Sequence, residues 1–314
     1  MTKNFIKNPN GPDTILPGQT STSELPQSIM EQLDGITVDL KTGVNIMTLA
    51  NQLNMIEKVE LLVNYSVFAE ISVADLQYLD RFYDEDVVDG ELVWRFLQKN
   101  RKTLIGQESN SLILGAQPIM HLRLHFSDAA VGPTYRIDLD RREIRQQTAD
   151  AFVAGGRENG ALAITRQLRK FKNLNVPIDQ VGQNTFTYNS DAQVVRGFHL
   201  IGANISKLKF YINNELRYDF ENLRAVNRRL KSFEGGSYNP QPNSWHLVPE
   251  AFSGAAGDAW GVNPNDEFKF EITTTNTDDC TLLIEELKRP QSETNFARVA
   301  EAYQKAQARR IVAR

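Results

Sequence analysis

IEKVELLVN, running from Ile56 to Asn64, returns as ISKLKFYIN from Ile205 to Asn213, 149 positions on. Both copies place a lysine third and an asparagine last, and Val59, Leu61 and Val63 answer Leu208, Phe210 and Ile212. Apolar residues at every second position are what a strand with one buried face requires, because successive side chains point to opposite sides of a sheet. Past a turn, each copy carries a second short extended run, Val67 to Ile71 and Leu216 to Phe220. A polar, helix-like stretch follows in both, Ala74 to Leu79 and Glu221 to Val226.

A second pair lies downstream. Leu122, Leu124 and Phe126 align with Phe268, Phe270 and Ile272, 146 positions on, and after a further turn Tyr135 and Ile137 align with Leu282 and Ile284. Read as hairpins, these segments repeat in the same order at close to half the chain length. The pattern predicts one β-domain written twice.

The chain has 314 residues, enough for one large or two medium domains. An apolar content of 41% and a charged content of 24% are ordinary for a globular protein. A formal net charge of -4 gives no electrostatic reason to expect bulk or sequence-specific nucleic-acid binding. Cys280 is the one cysteine, so no intrachain disulfide forms, which fits folding in a reducing cytoplasm. The N-terminus lacks a signal pattern, and no apolar run approaches the roughly 20 residues that span a bilayer. A soluble product folded inside the cell is the expectation.

Four segments follow in order. Residues 1–32 hold Pro9, Pro12, Pro17 and Pro26 among Asn, Gly, Ser and Thr, and are expected to form an extended N-terminal arm. Residues 33–150 form the first β-domain, from the alternating Ile36, Val38 and Leu40 to the segment His121–Leu139. Residues 151–290 form the second, with a long insertion from Lys231 to Pro264 that is rich in breakers and aromatics. Residues 291–314 change to helical spacing at Phe296, Val299, Ala300 and Tyr303, with Lys305, Arg309, Arg310 and Arg314 loading the end, which predicts a C-terminal helical tail. Many short strands with frequent turns argue for an all-β sandwich or barrel.

No catalytic, cofactor-binding or metal-binding residue is assigned. His121 and His125 lie four apart on one strand face, hence about 13 Å apart, too far to share an ion. Their counterparts in the second half are expected at Glu267 and Glu271, so no histidine site repeats. His199 and His246 read as isolated core or surface residues, and Cys280 as a small packed one. The acidic run Asp84 to Glu91 lacks EF-hand spacing and reads as an exposed loop. Gly155 to Gly160 lacks the Gly-Lys-Ser/Thr ending of a phosphate cradle, and the basic run Ala163 to Lys172, which could reach phosphate, reads first as a solvated strand face.

Three segments carry a family likeness. DAAVGP (Asp128 to Pro133) follows the strand His121 to Phe126, RGFHLIGANISKLKFYIN spans Arg196 to Asn213, and TRQLRKFKNL spans Thr165 to Leu174. Together they make the chain, over roughly residues 36 to 290, resemble the major capsid proteins of the corticoviruses, tailless icosahedral phages with a membrane beneath the protein shell. The resemblance implies a double jelly roll, two eight-stranded sandwiches in one chain. It further implies homotrimers whose six barrels form a pseudo-hexagonal block in an icosahedral shell around an internal membrane and double-stranded DNA. Implied partners are neighbouring capsomers, minor capsid or vertex proteins and, at the periphery, the membrane. Structural calcium occurs in some members, with no ligand assignable to this sequence. Two other readings are carried forward. One is a bicupin-like two-barrel metal enzyme, for which the paired His-x-His and nearby Glu are absent. The other is a carbohydrate- or receptor-binding spike that uses Tyr238, Trp245, Phe252 and Trp260.

Overall fold

The computed structural model describes residues 2–6, 15–26, 31–96, 111–113, 119–143, 168–192, 194–233, 238–253, 260–261 and 266–288. The expected C-terminal helix and the Gly155 to Gly160 loop lie outside the described residues. Strands β1 (Thr2–Ile6), β2 (Thr20–Glu24), β3 (Glu31–Thr42), β4 (Asn45–Ile46), β5 (Ile56–Val63) and β6 (Ser66–Ser72) open the first barrel. Strands β7 (Glu91–Arg95), β8 (Leu112–Ile113), β9 (Met120–Phe126) and β10 (Pro133–Glu143) complete it, with helices α1 (Leu49–Met55) and α2 (Val73–Phe82). The second barrel holds β11 (Leu168–Val176), β12 (Gly182–Asn189), β13 (Val194–Ile201), β14 (Ile205–Ile212) and β15 (Glu215–Phe220). It continues through β16 (Ser244–Leu247), β17 (Trp260–Gly261), β18 (Glu267–Thr274) and β19 (Cys280–Lys288), with α3 (Leu223–Lys231) and α4 (Pro249–Ser253).

Each barrel is two facing antiparallel sheets with one shared topology. In the first, one sheet runs β1-β10-β3, with β7 and β8 both on the far side of β3, and the other runs β2-β9-β5-β6. In the second, the corresponding orders are β11-β19-β13, with β16 and β17 on β13, and β12-β18-β14-β15. Eight strand positions are therefore filled in each, the order of a jelly roll; β4 is a short extra hairpin on β3.

The duplication extends to irregularities. The extra residue between β3 and β10 falls at Asp34, before Gly35, and that between β13 and β19 falls at Arg196, before Gly197. Glu57 and Ser206 bulge on β5 and β14 against β9 and β18, and Phe68 and Arg217 bulge in β6 and β15. Both β5–β6 and β14–β15 close through two residues at positive φ, Asn64-Tyr65 (50° and 63°) and Asn213-Asn214 (52° and 63°). That pair of angles is a type I′ turn, whose twist matches the flanking strands. Ser72 and Asn222 then cap α2 and α3, each accepting from the backbone N–H three residues on.

Four expectations need correction. The segments around Asp128 to Pro133 and Thr275 to Asp279 are not hairpin turns: β9 and β10 belong to opposite sheets, as do β18 and β19, so each loop crosses the sandwich. The downstream repeat is also out by two residues. Matched bulges put Leu122 on Phe270, 148 positions on, and Ile137 on Leu282, 145 on, so His121 and His125 correspond to Lys269 and Thr273. A period-two pattern looks the same after a slip of two. The described parts of residues 1–32 are not a free arm, because β1 pairs with β10 and β2 with β9, the first two strand positions of the jelly roll. β2 buries only Ser21 and Ser23, which gives no apolar alternation to detect. Finally, the Lys231–Pro264 insertion contributes the edge strand β16, and Tyr238, Trp245 and Phe252 are buried.

The cores differ in composition. Leu33, Ile36, Leu61, Leu122, Leu124 and Leu139 fill the first barrel. Phe198, Phe210, Phe268 and Phe270 meet at ring-centroid distances of 5.0 to 6.2 Å in the second, with Trp260 against Phe198 and Phe210. Burying each such side chain contributes about 1.5–3 kcal/mol, so either set suffices to close a sandwich. Cys280 fits its space because Gly202 faces it: a Cβ there would sit 2.5 Å from the sulfur. Burial pushes its thiol up to about 11, which disfavours the thiolate.

Candidate functional site at the barrel junction

Helix α2 has more apolar surface than one barrel can use. Val73, Leu76 and Leu79 pack into the first core, while Tyr78, Phe82 and the following Tyr83 turn to the outer face of the β19-β13-β16 sheet. A helix apolar on two sides is a helix between two bodies. Phe82 stacks on His246 at 4.0 Å, meets His199 edge-on at 4.9 Å and stacks on Tyr238 at 5.3 Å. The backbone N–H of Asn239 donates to the carbonyl of Phe82 at 2.7 Å, and Asn173 donates to Asp75 at 2.8 Å.

At the centre lies Glu285, fully buried. One carboxylate oxygen accepts from the Tyr83 hydroxyl at 2.5 Å and from His199 Nε2 at 2.9 Å. The other accepts from Arg169, through Nε at 3.0 Å and through Nη2. Arg196, also buried, lies over the Tyr83 ring at 4.9 Å. Burial alone would raise the Glu285 carboxyl, but Arg169, the His199 hydrogen bond and Arg196 together hold it well below the usual range. Burial, with the neighbouring Glu285 charge, pushes the Tyr83 hydroxyl up, which keeps it a donor.

The histidine protons follow from one fixed donor. The backbone N–H of Gln241 donates to His246 Nε2 at 3.2 Å, so the His246 hydrogen sits on Nδ1. That atom lies 2.8 Å from His199 Nδ1, which must accept, leaving His199 Nε2–H to donate to Glu285. Burial holds His246 well below its ordinary value of 6.5, consistent with a neutral ring. These are satisfied structural histidines. They are not isolated, as the sequence reading had them, but a cross-strand pair.

A second buried carboxylate, Glu286, accepts from Tyr188 and from Ser190 at 2.5 Å and lies 3.5 Å from Lys172. Lys172 also reaches Asp191 at 2.7 Å. Within the described part of the basic run, Arg169 and Lys172 are therefore not a solvated face: both neutralise buried glutamates.

The other singled-out residues do not converge. His125 Nε2 sits 2.9 Å from Glu60, which also pairs with Lys58 at 2.8 Å and Arg123 at 3.3 Å, whereas His121 packs at a tilt against the Tyr65 ring, 4.9 Å between centroids. In the acidic run, Asp89 accepts from the Leu49 N–H at the start of α1, and Glu85 joins Asp80 on Arg95. Among the described residues no group of three His, Cys, Asp or Glu is placed to hold a metal ion. Trp260 is half-buried on the Phe198 and Phe210 rings, so the four aromatics proposed for a spike pack inward. Sequence reading missed Tyr78, Phe82, Tyr83, Arg169, Arg196 and Glu285. The available signal was Glu285-Glu286 inside the apolar run Leu282–Leu287, since ionised residues buried in a strand need partners.

Two family models cover most of the chain: the viral coat protein P2 N-terminal domain over residues 7–152 and the viral coat protein P2 C-terminal domain over residues 168–290. No curated protein matches. Among solved structures, the major capsid protein P2 from bacteriophage PM2 superposes with a TM-score of 0.72 at 12% identity, covering 93% of this chain and 99% of that one. The atomic structure of Sulfolobus Turreted Icosahedral Virus gives 0.60 at 12% identity, covering 99% and 98%. The PBCV-1 virus capsid gives 0.57 at 8% identity, covering 91% and 93%. At such identities these likenesses establish the double jelly-roll fold, and the two family models carry the rest. A chain whose Glu285 network locks two barrels together, and whose halves match the two domains of one coat protein in order, belongs to the viral coat protein P2 family: it is a structural capsid component of the virion, built to assemble with other capsid subunits, and not an enzyme.

Proposed function

We propose that the protein is the repeating subunit of an icosahedral shell and assembles first as a homotrimer whose six barrels form a pseudo-hexagonal block. The observation that carries this reading is the asymmetry of the junction. The first barrel contributes β6, α2 and Tyr83, whereas the second contributes the outer face of β11-β19-β13-β16. Two copies of one fold thus meet head to tail, through different surfaces. Among the described residues such a contact leaves one surface of each kind uncovered, on β15 and α3 of the second barrel and on the β1-β10-β3-β7 face of the first. Heterologous contacts of this type form rings when the rotation closes. Three chains with two pseudo-equivalent barrels each then approximate six-fold symmetry.

Vertex and minor capsid proteins would meet the rims of these blocks. An internal membrane and double-stranded DNA beneath the shell rest on the corticovirus resemblance alone. Assembly in this reading needs no cofactor and no catalytic residue. Mass photometry of the purified protein at micromolar concentration tests the proposal. A trimer supports it, and a stable monomer contradicts it.

A further inference from the structure

We infer that the cleft between the two barrels, where β6 runs beside β11, seats this chain's own C-terminal segment, with Phe296, Val299, Ala300 and Tyr303 as the docking face. The inference stands apart from the trimer proposed above, because both the cleft and its occupant belong to one polypeptide.

The cleft has a volume of about 780 Å³. Its apolar lining is Val67, Phe68 and Ile71 from β6, Phe171 and Leu174 from β11, and Leu283 from β19. Ile71, Phe171 and Leu283 are buried, whereas Val67 is 48% exposed and Phe68 and Leu174 are half-buried. Asn173 on β11 ties the two walls together through its hydrogen bond to Asp75 on α2. The lining cations are matched within each wall. Lys58 sits 2.8 Å from both Glu60 and Glu70, Lys172 reaches Asp191 and Glu286, and Lys170 lies 4.0 Å from Asp191. With those pairs already made, the cleft selects an occupant by its apolar surface rather than by charge.

The tail starts beside it. Lys288 closes β19 opposite Leu168, and the cleft wall begins two residues further along β11, at Lys170. The seat is therefore one strand spacing across, about 5 Å, and about 7 Å along from where the tail departs. β11 is the edge of its sheet, so the tail has one strand to cross. Arg289 to Asn295 can span up to about 23 Å, which is ample. Phe296, Val299, Ala300 and Tyr303 then fall at offsets that share one helix face, about 10 Å long. The wall from Lys170 to Leu174 is about 13 Å long, so the two lengths agree. The match to the C-terminal coat domain ends at residue 290, and this face lies beyond it. A short tether holds the face at an effective concentration on the order of millimolar, which favours it over a separate molecule. Seated there, the tail straps β6 of the first barrel to β11 of the second.

The test measures thiol alkylation of Val67→Cys in the otherwise unchanged full chain and in the same chain carrying F296D/Y303D. Cys280 is 1% exposed and stays silent. Val44→Cys, 94% exposed and outside the cleft, is the reference site, and thermal melting controls for folding. Val67→Cys should react about tenfold more slowly with the native tail than with F296D/Y303D, as expected of a site reached only when the strap opens, while Val44→Cys reacts equally in both. A chain carrying Val67→Cys and Ala300→Cys, oxidised under native conditions, should yield the Cys–Cys peptide from the monomer band of a denaturing gel. Equal rates at Val67→Cys with either tail overturn the inference. So does a linkage that is absent or found only between chains.

Discussion

The outer face of the same four-strand sheet occurs twice in this chain and is made in two ways. On the second barrel it holds Glu285, His199, His246 and Arg169 under the aromatic surface of α2, all from one polypeptide. On the first barrel its equivalent keeps Asp138, Asp140 and Thr37 in contact with water. The first contact forms once, during folding, and can bury a charge network and stacked rings. The second face instead carries its charges nearer the surface, with Arg136 bridging Asp39 and Asp138. One topology therefore leaves the chemistry of this face free to differ.

The largest expected effect breaks the first barrel itself. Deleting residues 1–26 removes β1 and β2 and opens the edges of β10 and β9, so the deletion should abolish a cooperative melting transition of that barrel. A deletion that melts like the full chain would restore the arm reading. Next comes Glu285→Ala, which leaves Arg169 and Arg196 buried beside an empty place. Removing one partner of a buried pair costs about 3–5 kcal/mol, read by urea denaturation, whereas Arg136→Ala, whose half-exposed guanidinium pairs with Asp39 on the first-barrel face, should change stability by less than about 1 kcal/mol. Equal losses at the two sites would erase the contrast between the faces.

The pH response sharpens the comparison further. His246 is held below its ordinary 6.5, so the unfolded chain takes up a proton that the fold refuses. Stability from this group is present above 6.5 and is lost as pH falls below it, by up to about 1.4 kcal/mol per unit. Asp80 runs the other way: burial, against the pull of Arg95, pushes it up to about 6, so its protonation stabilises the fold as pH falls from there towards 3.8. The difference between wild type and His246→Asn removes that opposing contribution. It should shrink by about 1.4 kcal/mol for each unit below pH 6.5, and a difference that stays flat from pH 7 to 5 contradicts a buried neutral His246. The smallest effect concerns the turns. Tyr65 sits at a φ of 63°, so Tyr65→Gly relieves a left-handed side chain and should raise stability by a few tenths to about 1 kcal/mol, less any loss from its packing against His121.

Much of the fold is written in short-range pattern. The β5–β6 and β14–β15 hairpins repeat with fixed spacing because type I′ turns fix their register, and that spacing of 149 is the one the structure keeps. The downstream strands slipped by two because alternation is blind to such a shift and no tight turn pins them. β1 and β2 went unread because prolines surround them and serines supply the buried face of β2. The junction was least legible. Its members stand at positions 78–83, 169, 196, 199, 246 and 285, and only the crossing order of the sheets brings them within hydrogen-bonding reach.

The central claim is the proposed trimer, in which a head-to-tail contact like the one inside the chain is made again between chains. Its most direct test is covalent. Purified protein treated with an amine crosslinker under native conditions and run on a denaturing gel should give a ladder that stops at three linked chains. Monomer alone, or a ladder that continues past three, would contradict it.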